Sequence, residues 1–391
     1  MAKKRVLLVL LTLIMVFTMA ACQGKEQEHV HKIGVVVYDL RDEQVQAFRE
    51  YLEGYIAENF ANVEFLYSTA IIDEASEMDF LRDAIAWGAE GIMAFNSYDL
   101  KAEVELCAAN KVYYIRPSST VAHTEFQEVA NNPYFLGYFG PGENTEYQAG
   151  FDMGTYFAQE KISDSYFILT GGAASGNEMH LQRTIGILDA LQKCYGVSFS
   201  KTSQELASAQ APTVAEAGSL RVTLFSGYVG MEKVGRLAVS TFQMRPSGVV
   251  LGVIPLRAIA DSLKGAKLGI IDCYTSSNGE LFKSGKLCYL TGKYQSIIAP
   301  AFAALYNAVT GYADTFREDG HAFAINQGFW TSTDYEDFVE KYALSSGVVM
   351  NAYSYGDIMN VCRAYNPKAT LEDLKDLASG WDFDSALQRR K

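Results

Sequence analysis

Two histidines one residue apart, His29 and His31, are the first side chains in the chain able to do chemistry together. Imidazole nitrogens ligate transition metals, so the pair could share one. Two ligands on a polar, tether-like stretch make a weak site, and solvent exposure is the simpler expectation. The next candidate is "TGGAASGN" (170–177), a glycine-rich loop between a strand and a helix. Gly171 and Gly176 have P-loop spacing, but no Lys-Ser or Lys-Thr follows, and the loop misses the dinucleotide fingerprint. A tight strand-to-helix turn explains it better, with a helix N-terminus that can offer N–H groups to a ligand. The remaining histidines, His123, His180 and His321, stand alone, and there is neither a G-x-S-x-G elbow nor an H-E-x-x-H. Past Cys22 the cysteines (Cys107, Cys194, Cys273, Cys288, Cys362) show no C-x-x-C spacing, so no zinc scaffold is indicated. A Cys273–Cys288 bridge is conceivable, but free buried thiols are expected. No enzyme, no cofactor and no resident metal is expected.

Cys22 has a different chemistry. Lys3, Lys4 and Arg5 precede an uncharged run, Val6 to Thr18. Its 13 residues fall short of the ~20 needed to span a bilayer, and the pattern reads as a secretory signal peptide over 1–21. Met19-Ala20-Ala21-Cys22 looks like a bacterial lipobox, with Met19 where that motif more often has Leu. The resemblance implies that Cys22 is lipidated and becomes the mature N-terminus, with residues 22–31 as a tether. The expected location is then the extracytoplasmic face of the cell membrane, held by the lipid.

The mature chain would keep 370 residues (391 minus 21), beyond the size at which one core keeps growing, so two domains are expected. Losing three cations takes the formal net charge from −13 to −16, which disfavours nucleic acid as a partner. The hydrophobic period alternates between strand and helix. "KIGVVVY" (32–38), "VEFLYS" (63–68), "GIMAFN" (91–96) and "KVYYIR" (111–116) read as strands, separated by amphipathic stretches. After a Gly- and Pro-rich crossing segment (137–150) the pattern restarts with "SYFILTGG" (165–172), "RVTLFS" (221–226), "GVVLGV" (248–253), "KLGIIDCY" (267–274) and "KLCYLTGKY" (286–294). Helices are expected over 178–193, over 230–243 and in "LRAIADSL", and a mobile loop or poor helix over 205–219. This alternation predicts an α/β fold of two Rossmann-like lobes with parallel sheets.

In this order "KIGVVVYDL", "WGAEGIMAFN", "NKVYYIRPSS", "YQAGFDMGTYFA", "GIIDCY" and "TGKYQSIIAPAFAALYNAVTG" resemble the type I periplasmic binding proteins, the ribose- and galactose-binding-like solute-binding proteins of ABC importers. The resemblance spans residues 32 to about 330. It implies two lobes, 32–140 plus 297–330 and 141–296, joined by three hinge crossings, with 331–391 as a C-terminal appendage. It implies a ligand site at the carboxyl ends of the strands, which is where open parallel sheets place ligands. It places Asn96 and Asp272 on ligand-binding strand ends, and Tyr38, Asp39 and Asp42 on the ligand-facing turn after the first strand. Arg116 stands one step before the family's Asp-Arg position, now Pro117-Ser118, Arg183 falls near the ligand arginine, and Lys293 takes the place of a hinge Gln, with Gln295 close by. The family's Asn-Asp after the "GVVLG" strand is lost to Val253-Ile254. The implied partners are a small polar, sugar-like ligand and an ABC permease, with the protein a monomer. A nucleoside or other non-sugar ligand, or service as the receptor of a sensor kinase, is the alternative.

Overall fold

The computed structural model describes residues 29–171, 178–345 and 351–391; the signal segment, Cys22 and most of the glycine-rich loop lie outside them. Two sheets organise the chain. The first contains β1 (His31–Val36), β2 (Val63–Tyr67), β3 (Gly91–Ala94), β4 (Tyr113–Arg116), β5 (Phe135–Gly140) and, much later in sequence, β12 (Phe323–Asn326). Its order is β12-β5-β4-β3-β1-β2 and every pairing is parallel. The second contains β6 (Ser165–Leu169), β7 (Thr213–Ala217), β8 (Leu220–Phe225), β9 (Val249–Gly252), β10 (Lys267–Cys273), β11 (Leu287–Lys293) and β13 (Trp330–Ser332). Its order is β13-β11-β10-β9-β6-β8-β7, with only the two edge pairs antiparallel. The interior strands are apolar along their whole length because helices cover both faces: β3, with Gly-Ile-Met-Ala, and β9, with Val-Val-Leu-Gly, are buried at every position.

Three departures from the sequence reading have local causes. "LRAIADSL" forms only a short 3₁₀ turn, Ala260–Ser262, with Leu256, Ile259 and Leu263 anchored in the core. Residues 205–219 are neither loop nor poor helix throughout: Thr202 caps a five-residue helix, Ser203–Ala207, and Thr213–Ala217 adds an antiparallel edge strand to β8. Part of the crossing segment, up to Gly140, is β5, whose aromatic residues Phe135 and Phe139 outweigh its glycines. Cys273 and Cys288 lie at opposite ends of the paired strands β10 and β11, since Cys273 faces Lys293, and both thiols are free.

The chain passes between the sheets three times: after β5, between β11 and the helix Ala299–Asn307, and between β12 and β13. The residues after β13 pack back on these crossings. Trp330 stacks on Tyr294 with ring centroids 3.7 Å apart, and its indole Nε1 donates to the Trp381 carbonyl (2.8 Å), which also accepts from the Tyr294 hydroxyl (2.8 Å). Gly328 is needed here, since a β-carbon would sit 2.3 Å from the Trp381 ring. Trp330 is 2 % exposed, so Trp330→Ala is expected to cost about 3–5 kcal/mol of stability, read as a lower urea midpoint at an unchanged slope.

Candidate functional site

The site is assembled where the carboxyl ends of both sheets face each other across the crossings. From the first sheet, β4 delivers Arg116, which is 8 % exposed and leaves Nε and Nη1 without a partner. The loop after it is held tightly. Ser118 adopts a positive φ of 52°, and Gly140 at φ 151° lies so close that a β-carbon would come within 2.4 Å of the Ser119 carbonyl oxygen. From the second sheet, β11 ends on Lys293, whose Nζ crosses to the carbonyl oxygen of Ser118 at 2.6 Å. Burial depresses the Lys293 ammonium to about 8; Glu146 opposes the shift and the nearby Arg183 and Arg116 add to it. Arg183 sits on the helix Glu178–Tyr195, which lies against Glu143–Gln159 with Gly150 and Gly186 at the contact; a β-carbon on Gly150 would be 1.9 Å from the Arg183 carbonyl oxygen. The Arg183 Nε donates to Glu146 at 2.5 Å and its Nη1 to the Val253 carbonyl oxygen at 3.2 Å. His180, one turn earlier, is held neutral, its pKa lowered to about 3 by burial and then by Arg183.

A second, acidic group lies beside this cationic one. Asp42 caps the helix Glu43–Tyr51 through one carboxylate oxygen and accepts from the Tyr228 hydroxyl of the opposite lobe (3.3 Å) through the other. The Ser277 hydroxyl donates to Glu43, again between lobes. Enclosure raises the Tyr38 hydroxyl far above its usual range, and Asp42 adds to the rise. Asp272, at the end of β10, is pushed up to about 7 by burial; the Asn278 amide (2.8 Å) counters this and Asp42 and Glu43 add to it.

The structure thus brings together Tyr38, Asp42, Arg116, Arg183, Asp272 and Lys293. Asp39 and Asn96 are drawn elsewhere. Asp39 pairs with Arg41 of its own turn at 2.7 Å; Arg41 is largely solvated and Asp39 is half-buried. The Asn96 amide donates to Glu77 (3.2 Å), part of a buried acidic pair beneath the loop: Glu77 and Glu103 both accept from the Tyr98 backbone N–H, at 2.7 and 3.0 Å, and Glu103 also accepts from the Tyr114 hydroxyl. Sequence reasoning did not assign Glu146, Ser118, Gln295, Ser296 or Gln327 to the site. The Gln327 side chain is fully buried with neither amide atom paired, and Gln295 Oε1, Ser118 Oγ and Ser296 Oγ are likewise unpartnered. Two of them offered a signal: Gln295, two residues past Lys293 on a crossing, and Ser118, at the position of the family's Asp-Arg pair. A shallow hollow of about 300 Å³ beside Leu263, Lys264 and Lys286 lies at the opposite end of β10; without a converging set of polar groups it is a surface depression.

This topology is that of a type I periplasmic binding protein: two lobes of mostly parallel sheet, three crossings, and polar side chains gathered between them. Solved structures share it. They include an ABC transporter solute binding protein from Bacillus halodurans C-125 with bound myo-inositol (17 % identity, 82 % of this chain and 99 % of that one, TM-score 0.59). A galactofuranose binding protein matches at 10 % identity, covering 81 % of this chain and all of that one (TM-score 0.59). A periplasmic solute binding protein from Actinobacillus succinogenes 130z with bound D-allose matches at 11 % identity over 79 % and 99 % (TM-score 0.58). No family model and no curated protein matches the sequence.

Burial raises the Glu77 carboxyl to about 8, and Glu103 adds to the rise. A carboxyl whose folded-state pKa is raised favours folding fully below its unfolded value and loses that contribution as the pH climbs toward the folded one. Glu77→Gln is therefore expected to stabilise the protein by on the order of 1 kcal/mol or more near pH 7.5 and by little near pH 4.5, in urea melts run across that range.

Proposed function

We propose that this chain is an extracytoplasmic solute-binding protein that captures a small, polar, sugar-like ligand between its lobes and delivers it to an ABC permease, held at the membrane by a lipid on Cys22. The observation that carries the reading is the set of buried, unpartnered polar groups at the junction: Arg116, Gln327, Gln295, Ser118 and Ser296. An unsatisfied buried donor or acceptor costs ~1–3 kcal/mol, and protein interiors rarely collect several in one place. A polyhydroxylated ligand supplies both donors and acceptors, so it satisfies amide, hydroxyl and guanidinium groups together. The solved proteins of this fold named above are described with myo-inositol, galactofuranose and D-allose, which fits that chemistry.

The mechanism follows from the contacts between lobes. Tyr228 to Asp42, Ser277 to Glu43 and Lys293 to Ser118 are made only when the lobes meet. Ligand entry breaks them, and a ligand touching both lobes favours their re-formation, so the closed state is selected by differential contact. The three crossings are the hinges. The permease then reads the closed state.

A thermal-shift screen across sugars, cyclitols, nucleosides and small acids tests the reading; a ligand at 100 times its Kd stabilises by ~2.7 kcal/mol. With the ligand found, calorimetry on Arg116→Ala and Asp272→Ala is expected to show affinity lowered tenfold or more, and on Asn96→Ala a smaller loss, because its amide already serves Glu77. A ligand hydroxyl donating to Asp272 needs the carboxylate. Affinity is therefore expected to fall as the pH drops below about 7, the value set by the burial of Asp272, by up to tenfold per unit, and Asp272→Asn is expected to flatten that dependence.

A further inference from the structure

We propose that His29, His31 and Glu90 form a binding site for a late first-row divalent cation, with Zn²⁺ as the ion that suits it and water completing the coordination. The site lies at the amino ends of β1 and β3, on the face opposite the ligand cleft, and is independent of the ligand-binding reading.

His29 and His31 flank Val30 on extended chain, which sends both rings to one side. His31 is the first residue of β1, and its backbone N–H donates to the Asn62 carbonyl oxygen at 2.7 Å. Glu90 immediately precedes β3, the neighbour of β1, and is fixed on both sides: its N–H donates to the Lys32 carbonyl oxygen (2.8 Å) and its own carbonyl accepts from Tyr113 (3.0 Å). Two of the three donors therefore stand on hydrogen-bonded sheet, and only His29 belongs to the segment entering it.

The donor atoms already converge. His29 Nε2 is 2.7 Å from one Glu90 oxygen and His31 Nδ1 is 2.9 Å from the other. The ligand atoms all lie within 4.8 Å of one another. Zinc bonds of ~2.0–2.2 Å to nitrogen and oxygen in a tetrahedron place ligands roughly 3.3 Å apart, so small rotations of His29 and Glu90 suffice. Each imidazole nitrogen facing Glu90 becomes a ligand when its proton moves to the other ring nitrogen through solvent, and the ion replaces the two His–Glu hydrogen bonds. Two imidazoles and one carboxylate select zinc, copper and nickel over the oxygen-seeking Ca²⁺ and Mg²⁺.

Supporting groups orient the donors. The His31 ring meets the Tyr306 ring edge-on (centroids 6.0 Å apart), and the Tyr306 hydroxyl is held by Asn62 and by Tyr365. This packing limits rotation of the largely covered His31 ring. Access is open on the remaining side, since the His29 side chain is 70 % exposed while that of His31 is 11 %. The protein's net charge of −13 favours the approach of cations. His29 stands seven residues after Cys22, so a bound ion would limit the free span between them to ~25 Å at full extension.

Chelator-stripped protein titrated with Zn²⁺ in a calorimeter is expected to bind one equivalent, with Ca²⁺ and Mg²⁺ giving no saturable heat. His29→Ala, at an exposed position that leaves folding intact, and Glu90→Gln are each expected to weaken Zn²⁺ binding tenfold or more. Co²⁺ in place of Zn²⁺ is expected to give visible absorption of nitrogen and oxygen ligation without a thiolate charge-transfer band. The proposal is overturned if no saturable site appears, if both variants bind Zn²⁺ like the native chain, or if the Co²⁺ spectrum shows thiolate ligation, which would point to the exposed Cys194.

Discussion

Three cations, Arg116, Arg183 and Lys293, are buried where the two sheets meet, and one buried carboxylate, Glu146, faces them. Burying charge is expensive unless it is paired, and an ion left without its partner destabilises a fold by several kcal/mol. The rest of the architecture accommodates that imbalance. Glycines at the Glu143–Gln159 and Glu178–Tyr195 interface let the helices close enough for Arg183 to reach Glu146, and the positive-φ turn at Ser118 aims a carbonyl oxygen at Lys293. Arg116 keeps free donors, and unpaired amides and hydroxyls lie beside the crossings.

Charge is also segregated within the junction. The cations gather near Glu146, whereas Asp42, Glu43 and Asp272 lie together toward Tyr38 and Tyr228. Cys273 lies between them and feels both Asp272 and Lys293. Under the proposed function, such an arrangement would present acceptors and donors to different sides of one small molecule. It would suit a ligand with many hydroxyls better than an apolar one, because each displaced hydrogen bond with water would have a replacement.

The segment after β13 packs on the crossings between the two sheets. The solved proteins cover 79–82 % of the chain while being nearly complete themselves, so about a fifth of this chain has no counterpart in them. The run of helices ending in Phe383–Arg389 packs on two of the three crossings through Trp381, Tyr353 and Phe383. Aromatic stacking at 3.7 Å between Tyr294 and Trp330 resists shear, so motion between the lobes is expected to bend the crossings around this cluster rather than through it.

Sequence alone determined the class of fold and the positions where side chains leave the strands. Buried parallel strands write continuous β-branched and aromatic runs, as in "KIGVVVY" and "GVVLGV", and the residue after such a run stands at a strand end whatever its partners are. Local caps follow short-range rules as well: Thr370 and Asp373, three residues apart, form a reciprocal capping box at the start of the helix Leu371–Ser379. Which strand-end residues converge was decided only in three dimensions, because convergence depends on contacts between residues far apart in the chain. Asn96 was claimed by Glu77 and Asp39 by Arg41, while Glu146, in the Gly- and Pro-rich crossing segment, and Gln327, just past β12, entered the polar junction. The histidine pair shows the same limit from the other side: its third donor, Glu90, is 59 residues from His31 in sequence and 2.9 Å away in space, because parallel pairing of β1 with β3 sets their amino ends side by side.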